Sequence, residues 1–194
     1  ISQFGLDMIS SKLKTTLEDY QQKYPLRPGY PKEDMRSRHF PAINGKTFNA
    51  ILKALETNGQ IKSSNNLLTL PGFQPLPDQA DQERLEQIMA IMNQRLFNPP
   101  SPQELRQEVG SDEAHFQELL AYLLNEGRLV KISTDIYFSR QAIEEGKTRM
   151  DEYFREEKEM SLATARDLFD TSRKYALPLV EYYDRIRFTR RVGD

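Results

Sequence analysis

Six cations crowd the last stretch of the chain, "TSRKYALPLVEYYDRIRFTRRVGD", and their types and spacing suit the capture of an anion rather than the breaking of a bond. Between Thr171 and Arg191, Arg173, Lys174, Arg185, Arg187, Arg190 and Arg191 face only Glu181 and Asp184, although the whole protein carries a formal net charge of −2. From Glu144 to Asp170 acids outnumber bases, so the balance inverts at Thr171. A polyanion approaching this end meets a positive field that salt screens over about 8 to 10 Å. Arg173 and Lys174 also begin an amphipathic segment, where the helix dipole favours acids. Two cations there cost roughly a few tenths of a kcal/mol unless an anion arrives, and the free N–H groups of a first helical turn suit a phosphate.

Other residues able to do chemistry are more simply explained. The chain has no cysteine, which excludes disulfides, zinc knuckles and thiol nucleophiles and is compatible with a reducing compartment. "NGKT" (Asn44 to Thr47) resembles the end of a phosphate-binding loop, but Phe40 stands where the first glycine is needed, so it reads as a turn and helix start. His39 and His115, the two histidines, have no second ligand at metal spacing. The acids of "DEYFREEKE" (Asp151 to Glu159) read as a solvated helix face laced with charge pairs. "KEDMRSR" puts Lys32, Arg36 and Arg38 on a short helix, where balancing Glu33 and Asp34 is favoured over touching nucleic acid. Nothing assembles a nucleophile, a base and an oxyanion donor, so the chain is read as a non-enzyme with no catalytic residue, metal or cofactor of its own. Tyr175, directly after Arg173 and Lys174, is placed either to stack on a base or sugar or to pack inward.

The elements that must position these cations come from a repeat. "ILKALETNGQIKSSNNLLTL" (51 to 70) aligns without a gap on "LLAYLLNEGRLVKISTDIYF" (119 to 138), matching Leu55 to Leu123, Gly59 to Gly127 and Ile61 to Leu129. Each is an amphipathic helix closed by a glycine and followed by a hairpin whose turn is "SSNN" or "STD". "LVEYYDRIRFTRRVGD" repeats helix then strand in looser register, setting Tyr183 at the core position of Leu55 and Leu123, and stops where its hairpin should turn. Two further helices precede each closing helix. In the second copy these are "DQERLEQIMAIMNQRLF" and "PQELRQEV", the latter opened by a Ser101/Glu104 capping box, with Ser111 expected to cap the third. In the third copy they are "QAIEEGKTRMDEYFREE" and "LATARDLF" behind Ser161, with Thr171 or Ser172 before the last helix. Three helices and a two-stranded wing make a winged helix, a helix-turn-helix with an appended hairpin. The expected fold is therefore mainly α with small β wings: a tandem array of three winged-helix domains over residues 1–74, 75–140 and 141–194. The proline-rich "LPGFQPLPDQ" reads as a linker between the first two. A mean hydropathy of −0.70 and the absence of a long apolar run exclude a transmembrane helix, and a monomeric cytoplasmic protein is expected.

The helix starts "GKTFN", "SDEAH" and "TSRKY" differ in charge, and only the third sets two adjacent cations there. The terminal copy is therefore the expected binding unit. Periodicity leaves open whether its ligand is duplex DNA, as for a transcriptional regulator, or RNA, or whether the array is a protein scaffold whose terminal bases serve internal ion pairs.

"PLRPGYPKEDMRSR" (25 to 38) resembles the proline-rich "PLRxGMPKEELRSR" segment, and "SRKYALPLVEYYDRIRFTRRVGD" (172 to 194) the C-terminal signature, of the bacterial selenocysteine-specific elongation factors, SelB. The likeness extends over the chain through the three-unit layout. It implies four tandem winged helices behind a GTPase similar to elongation factor Tu, the last gripping the selenocysteine-insertion (SECIS) hairpin of the mRNA. By that resemblance the chain is a C-terminal fragment that does not hydrolyse GTP, with GTP and Mg²⁺ held by the absent GTPase domain. Ribosome and selenocysteyl-tRNA are partners through the full-length factor. By that resemblance Ser172, Arg173, Lys174, Arg190 and Arg191 occupy positions that contact the hairpin, and with Thr171 and Tyr175 at the same helix start they make up the expected RNA-binding set. Two departures stand out: Arg187 replaces the usual glycine, which predicts a shifted helix end or wing start, and Pro178 inside the last helix predicts an irregular or kinked first turn.

Overall fold

A computed structural model describes residues 3–192, the side chains of Gln3 and Phe4 apart. The chain divides into two compact units, residues 1–78 and 79–194. In the first unit, α1 (Gln3–Lys23), α2 (Lys32–His39) and α3 (Gly45–Thr57) precede a wing of β2 (Lys62–Ser64) and β3 (Leu67–Thr69). Asn65 and Asn66 both adopt positive φ, 50° and 62°, the two-residue turn whose twist suits a tight hairpin. Asn44 caps α3 by accepting the Thr47 N–H, which is the plain role of "NGKT". A strand the sequence did not suggest, β1 (Tyr30–Pro31), pairs with β3 and gives the order β1-β3-β2. Two residues are too few to show a period. Leu13, Leu17, Met35, Phe48, Leu52 and Leu68 form the buried centre.

The second unit holds α4 (Gln79–Arg95), α5 (Pro102–Glu108), α6 (Glu113–Asn125), β4 (Leu129–Lys131), β5 (Tyr137–Ser139), α7 (Arg140–Phe154), α8 (Leu162–Leu168) and α9 (Arg173–Arg185). It thus contains the middle and terminal copies, and no loop separates them. β5 runs directly into α7, with buried Ser139 capping the helix through the Ala142 N–H. One core spans the middle wing (Ile132, Ile136, Phe138) and the terminal helices (Ile143, Met150, Phe169, Leu179, Tyr183).

The second and third helices of these two copies match at a constant offset of sixty residues. Ser101 and Ser161 cap α5 and α8, each accepting the N–H three residues on, and Ser101 completes its box with Glu104. The cap of α6 is Asp112 rather than the expected Ser111: its carboxylate accepts the His115 N–H, while the Ser111 hydroxyl donates to the Asp112 carbonyl. α7 ends at Phe154, so Glu156 to Glu159 lie in the following loop rather than on a helix face. The expected wing strand after α9 does not form among the described residues, and Gly193 and Asp194 lie outside them. Phe188 and Thr189 instead turn their N–H groups back onto the Tyr183 carbonyl, at 2.9 and 3.3 Å, and no strand pairs with the tail among the described residues.

Candidate nucleic-acid interface

α9 carries the terminal cations, and its buried face fixes where they go. Ala176, Leu179 and Tyr183 are fully buried. Tyr183 stands where Leu55 and Leu123 stand in α3 and α6, and its hydroxyl donates to the Ile143 carbonyl at 2.9 Å. Burial pushes its phenol pKa well above the ordinary value. Room for the larger ring comes from Gly146 on α7, where an added Cβ would meet the Tyr183 hydroxyl at 2.1 Å.

Neither departure from the family pattern displaces the helix. Arg187 takes φ +61°, the left-handed conformation that Gly59 (+66°) and Gly127 (+67°) take at the same register position. The bonds that follow are the same in each: Phe188 N to Tyr183 O, Gln60 N to Leu55 O and Arg128 N to Leu123 O, all 2.9 Å. The helix end is therefore not shifted, at a conformational cost of about 1 kcal/mol that glycine avoids. Pro178 lies within a helix that stays continuous from Arg173 to Arg185. It sits early enough to remove only the bond to the Lys174 carbonyl, and the first turn tightens, with Tyr175 N and Ala176 N both 3.0 Å from the Ser172 carbonyl.

The seven sequence-derived site residues separate onto two sides of α9. On one side, Thr171, Lys174 and Tyr175 face the middle copy. The Thr171 hydroxyl lies 2.7 Å from the Phe97 carbonyl and 2.8 Å from Asn98 Oδ1, while Asn98 Nδ2 donates to the Asp170 carbonyl at 2.9 Å. Tyr175 is half-buried, with its ring edge-on to Phe138 of the middle wing, 6.5 Å between centroids. Lys174 Nζ sits 4.9 Å from the centre of the Tyr175 ring and 3.3 Å from its hydroxyl. The pKa of Glu104 is held below the usual carboxylate range, first by its bond from the Ser101 hydroxyl and then by the Ser101 N–H, with the Lys174 charge adding to this.

On the other side, Arg173, Arg190 and Arg191 line one groove of about 410 Å³, floored by Met160, Leu177, Val180 and Val192 and edged by Glu181 and Asp184. Sequence alternation placed the two tail arginines on opposite faces; as coil, both are exposed and reach the same groove. No carboxylate lies within 4 Å of any of the three among the described residues, whereas Arg36, Arg38, Arg95, Arg106, Arg149 and Arg166 all form ion pairs. Arg128, Arg140, Arg155, Arg185 and Arg187 also lack an ion pair among the described residues, so what sets Arg173, Arg190 and Arg191 apart is their convergence on one groove. Ser172 is the backbone cap of α9, yet its hydroxyl makes no cap bond, unlike Asn44, Ser101, Asp112, Ser139 and Ser161.

The other candidates have structural roles. Arg36 and Arg38 pair with Glu33 and Asp34. His39 Nε2 meets the Tyr30 hydroxyl at 3.0 Å, and His115 Nε2 meets Asp81 at 2.8 Å, tying α6 to α4. What sequence reasoning missed is the Phe97–Asn98 turn that holds Thr171, since nothing local to "LFNPP" announces a partner 73 residues away.

Two family models described as "Elongation factor SelB, winged helix" match residues 14–70 and 152–194, together just over half of the chain. The chain belongs to the SelB winged-helix family. Relatives include the selenocysteine-specific elongation factors of Desulfomicrobium baculatum, 27% identical over 190 residues, and of Escherichia coli (strain K12), 25% identical over 183. These alignments cover 97% and 94% of this chain but 30% and 29% of those proteins, so the chain spans about a third of the length of the relatives it matches. Among solved structures it is similar to the mRNA-binding domain of E. coli SelB in complex with SECIS RNA, with a TM-score of 0.52 and 26% identity. That match covers 60% of this chain and 94% of the other. A bacterial selenocysteine-specific elongation factor EF-Sec matches with a TM-score of 0.58 at 21% identity over 99% of this chain and 29% of that one, and shares the fold. The array is thus a tandem of SelB winged helices, and no helix among the described residues is long and apolar enough to cross a membrane.

Proposed function

We propose that this chain is an RNA-binding part of a selenocysteine-specific translation elongation factor, and that its terminal winged helix grips an mRNA hairpin of the SECIS type. One observation carries this above the rest: Arg173, Arg190 and Arg191, without ion-pair partners among the described residues, converge on one groove of a chain similar to an mRNA-binding domain. Arg173 presents a planar fork able to grip a base edge, and the two tail arginines hold phosphates. The Ser172 hydroxyl and Lys174 flank the same helix start, Ser172 with an unused hydroxyl and Lys174 as a charge. Thr171 and Tyr175 act from the other side, setting the height and tilt of that start against the middle copy. GTP hydrolysis, Mg²⁺, selenocysteyl-tRNA and the ribosome belong in this account to the remainder of the full-length factor. The test is a binding series with a SECIS hairpin, a loop-swapped hairpin and duplex DNA of matching sequence. Tightest binding to the SECIS hairpin, weakened by salt, is expected. Preference for the DNA would turn the terminal unit into a duplex-DNA reader, and salt-insensitive or absent binding would leave it a scaffold.

A further inference from the structure

The first winged helix repeats part of this basic arrangement on a different element. Residues 1–78 carry ten Lys or Arg against seven Asp or Glu, whereas 79–140 carry six against ten. On α3, Lys46 occupies the register position that Lys174 holds in α9, and Ala114 in α6. Lys53 stands two turns further on, with Asn49 between them on the same exposed stripe. Lys62 is exposed on β2 of the wing, and Lys32 opens α2 beside the wing turn, its N–H bonded to the Asn66 carbonyl at 2.9 Å. None of Lys32, Lys46, Lys53 and Lys62 has a carboxylate within 4 Å or a side-chain hydrogen bond among the described residues. The acids nearest in sequence are already occupied: Glu33 by Arg36, and Glu56 by the Ser63 N–H at 3.0 Å. Between α2, α3 and the wing turn lies a cleft of about 350 Å³, lined in part by Lys32, Arg36, Asn49 and Asn66.

We propose that this face of the first winged helix, Lys46 and Lys53 on α3 with Lys62 on the wing, is a second RNA surface, one that holds the phosphodiester backbone of duplex RNA without reading its bases. The cations are point charges on flexible stems, suited to phosphates and not to base edges. Lys46 and Lys53 are seven residues apart, about 10 Å along the helix, a spacing that lets one helix touch two phosphates of a strand. An acidic protein is the poorer fit, because the stripe between the lysines offers Asn49 and Ala50 in place of the large apolar anchor such an interface needs. In part the inference rests on the terminal-helix reading, through the shared register of Lys46 and Lys174. The two surfaces differ in kind, since the terminal groove gathers Arg173, Arg190 and Arg191 above an apolar floor, whereas the unpaired cations of the first face are lysines.

The experiment uses the 194-residue chain and a blunt RNA duplex of about 16 base pairs with no loop, titrated at several salt concentrations, with a SECIS hairpin run in parallel. The duplex is expected to bind weakly and salt-dependently. K46E/K53E/K62E should lose at least about tenfold in duplex affinity and flatten the salt slope by about three units. K46R/K53R/K62R, which keeps the charges, should bind like the parent, and R173A/R190A should lose less duplex affinity than K46E/K53E/K62E does. The surface is refuted by no duplex binding at low salt, by K46E/K53E/K62E binding within about threefold of the parent, by loss in R173A/R190A instead, or by tighter binding of duplex DNA. A failure confined to the hairpin concerns α9 alone.

Discussion

α6 and α9 are built on one plan, thirteen residues each behind an extended cap and ended by a left-handed residue, yet their first turns carry opposite charge. In α6, Asp112 caps the helix and Glu113 pairs with Arg106 of the preceding helix at 3.1 Å. In α9 those two positions are Ser172 and Arg173, and Arg166, the counterpart of Arg106, turns to its neighbour Asp167 at 2.8 Å. The exchange frees Arg173, removes the acid that suits the dipole, and leaves the cap hydroxyl unused. A helix start closed by its own acids has become one with a positive charge and an unused cap hydroxyl, the setting an anion would complete. The lesson is that the fold preserves the backbone of the cap while the charge carried there changes from copy to copy.

The largest expected effect concerns how α9 is seated. Gly146→Ala drives a methyl group into the Tyr183 hydroxyl and should destabilise the second unit by about 2 to 4 kcal/mol in denaturant unfolding. Adding Tyr183→Phe should recover part of that loss. If Gly146→Ala is neutral, Tyr183 is not seated like Leu123. Next, Arg173→Ala should lose roughly 1 to 3 kcal/mol of hairpin affinity and narrow the gap between SECIS and loop-swapped hairpins, while Arg38→Ala, already paired with Asp34, changes little.

Much of this was legible in the residues. The glycine-closed helices, their hairpins and the repeated start signals gave the winged-helix plan, because caps and left-handed ends are local chemistry. Register between the middle and terminal copies was harder to read, because Gly110 and Gly127 are replaced by Asp170 (φ +46°) and Arg187 (φ +61°), which adopt the same conformations without the usual residue. The cations were legible as a cluster but not as two sides of a helix. Arg173 and Lys174 are adjacent in sequence and about 100° apart around the axis, so one enters the groove and the other faces the middle copy. Which side is open depends on Phe97, Asn98 and Phe138, whose place beside α9 only tertiary packing decides.

Smaller effects sharpen the same comparison. Arg187→Gly should raise the stability of the second unit by about 1 kcal/mol, and Gly127→Arg should lower it by a similar amount, both read from denaturant midpoints. Lys174→Ala should weaken all hairpins alike by less than about 1 kcal/mol, without loss of loop discrimination, since the lysine lies outside the arginine groove.

The smallest effect is one of pH. The pKa of Glu104 is lowered by its bonds from Ser101, and that of Asp112 first by the His115 N–H. Their folded values lie below the unfolded ones, so the stability they add is present above the ordinary carboxylate range and is lost as pH falls through the folded values. Thr164 and Ser172 hold the corresponding positions in the terminal copy and do not titrate there. Amide protection factors, which correct for the intrinsic pH dependence of exchange, should therefore fall between pH 5 and pH 3 at the starts of α5 and α6 before those of α8 and α9, and an equal fall would break the contrast.

The central claim is that the open side of α9 and its tail hold RNA. It is tested most directly by hairpin affinity against salt concentration for the parent chain and for R173A/R190A/R191A. Three lost phosphate or base contacts should flatten the logarithmic salt slope by about two to three units and weaken SECIS binding at least about a hundredfold at low salt. An unchanged slope with parent-like affinity would place the RNA elsewhere on the molecule.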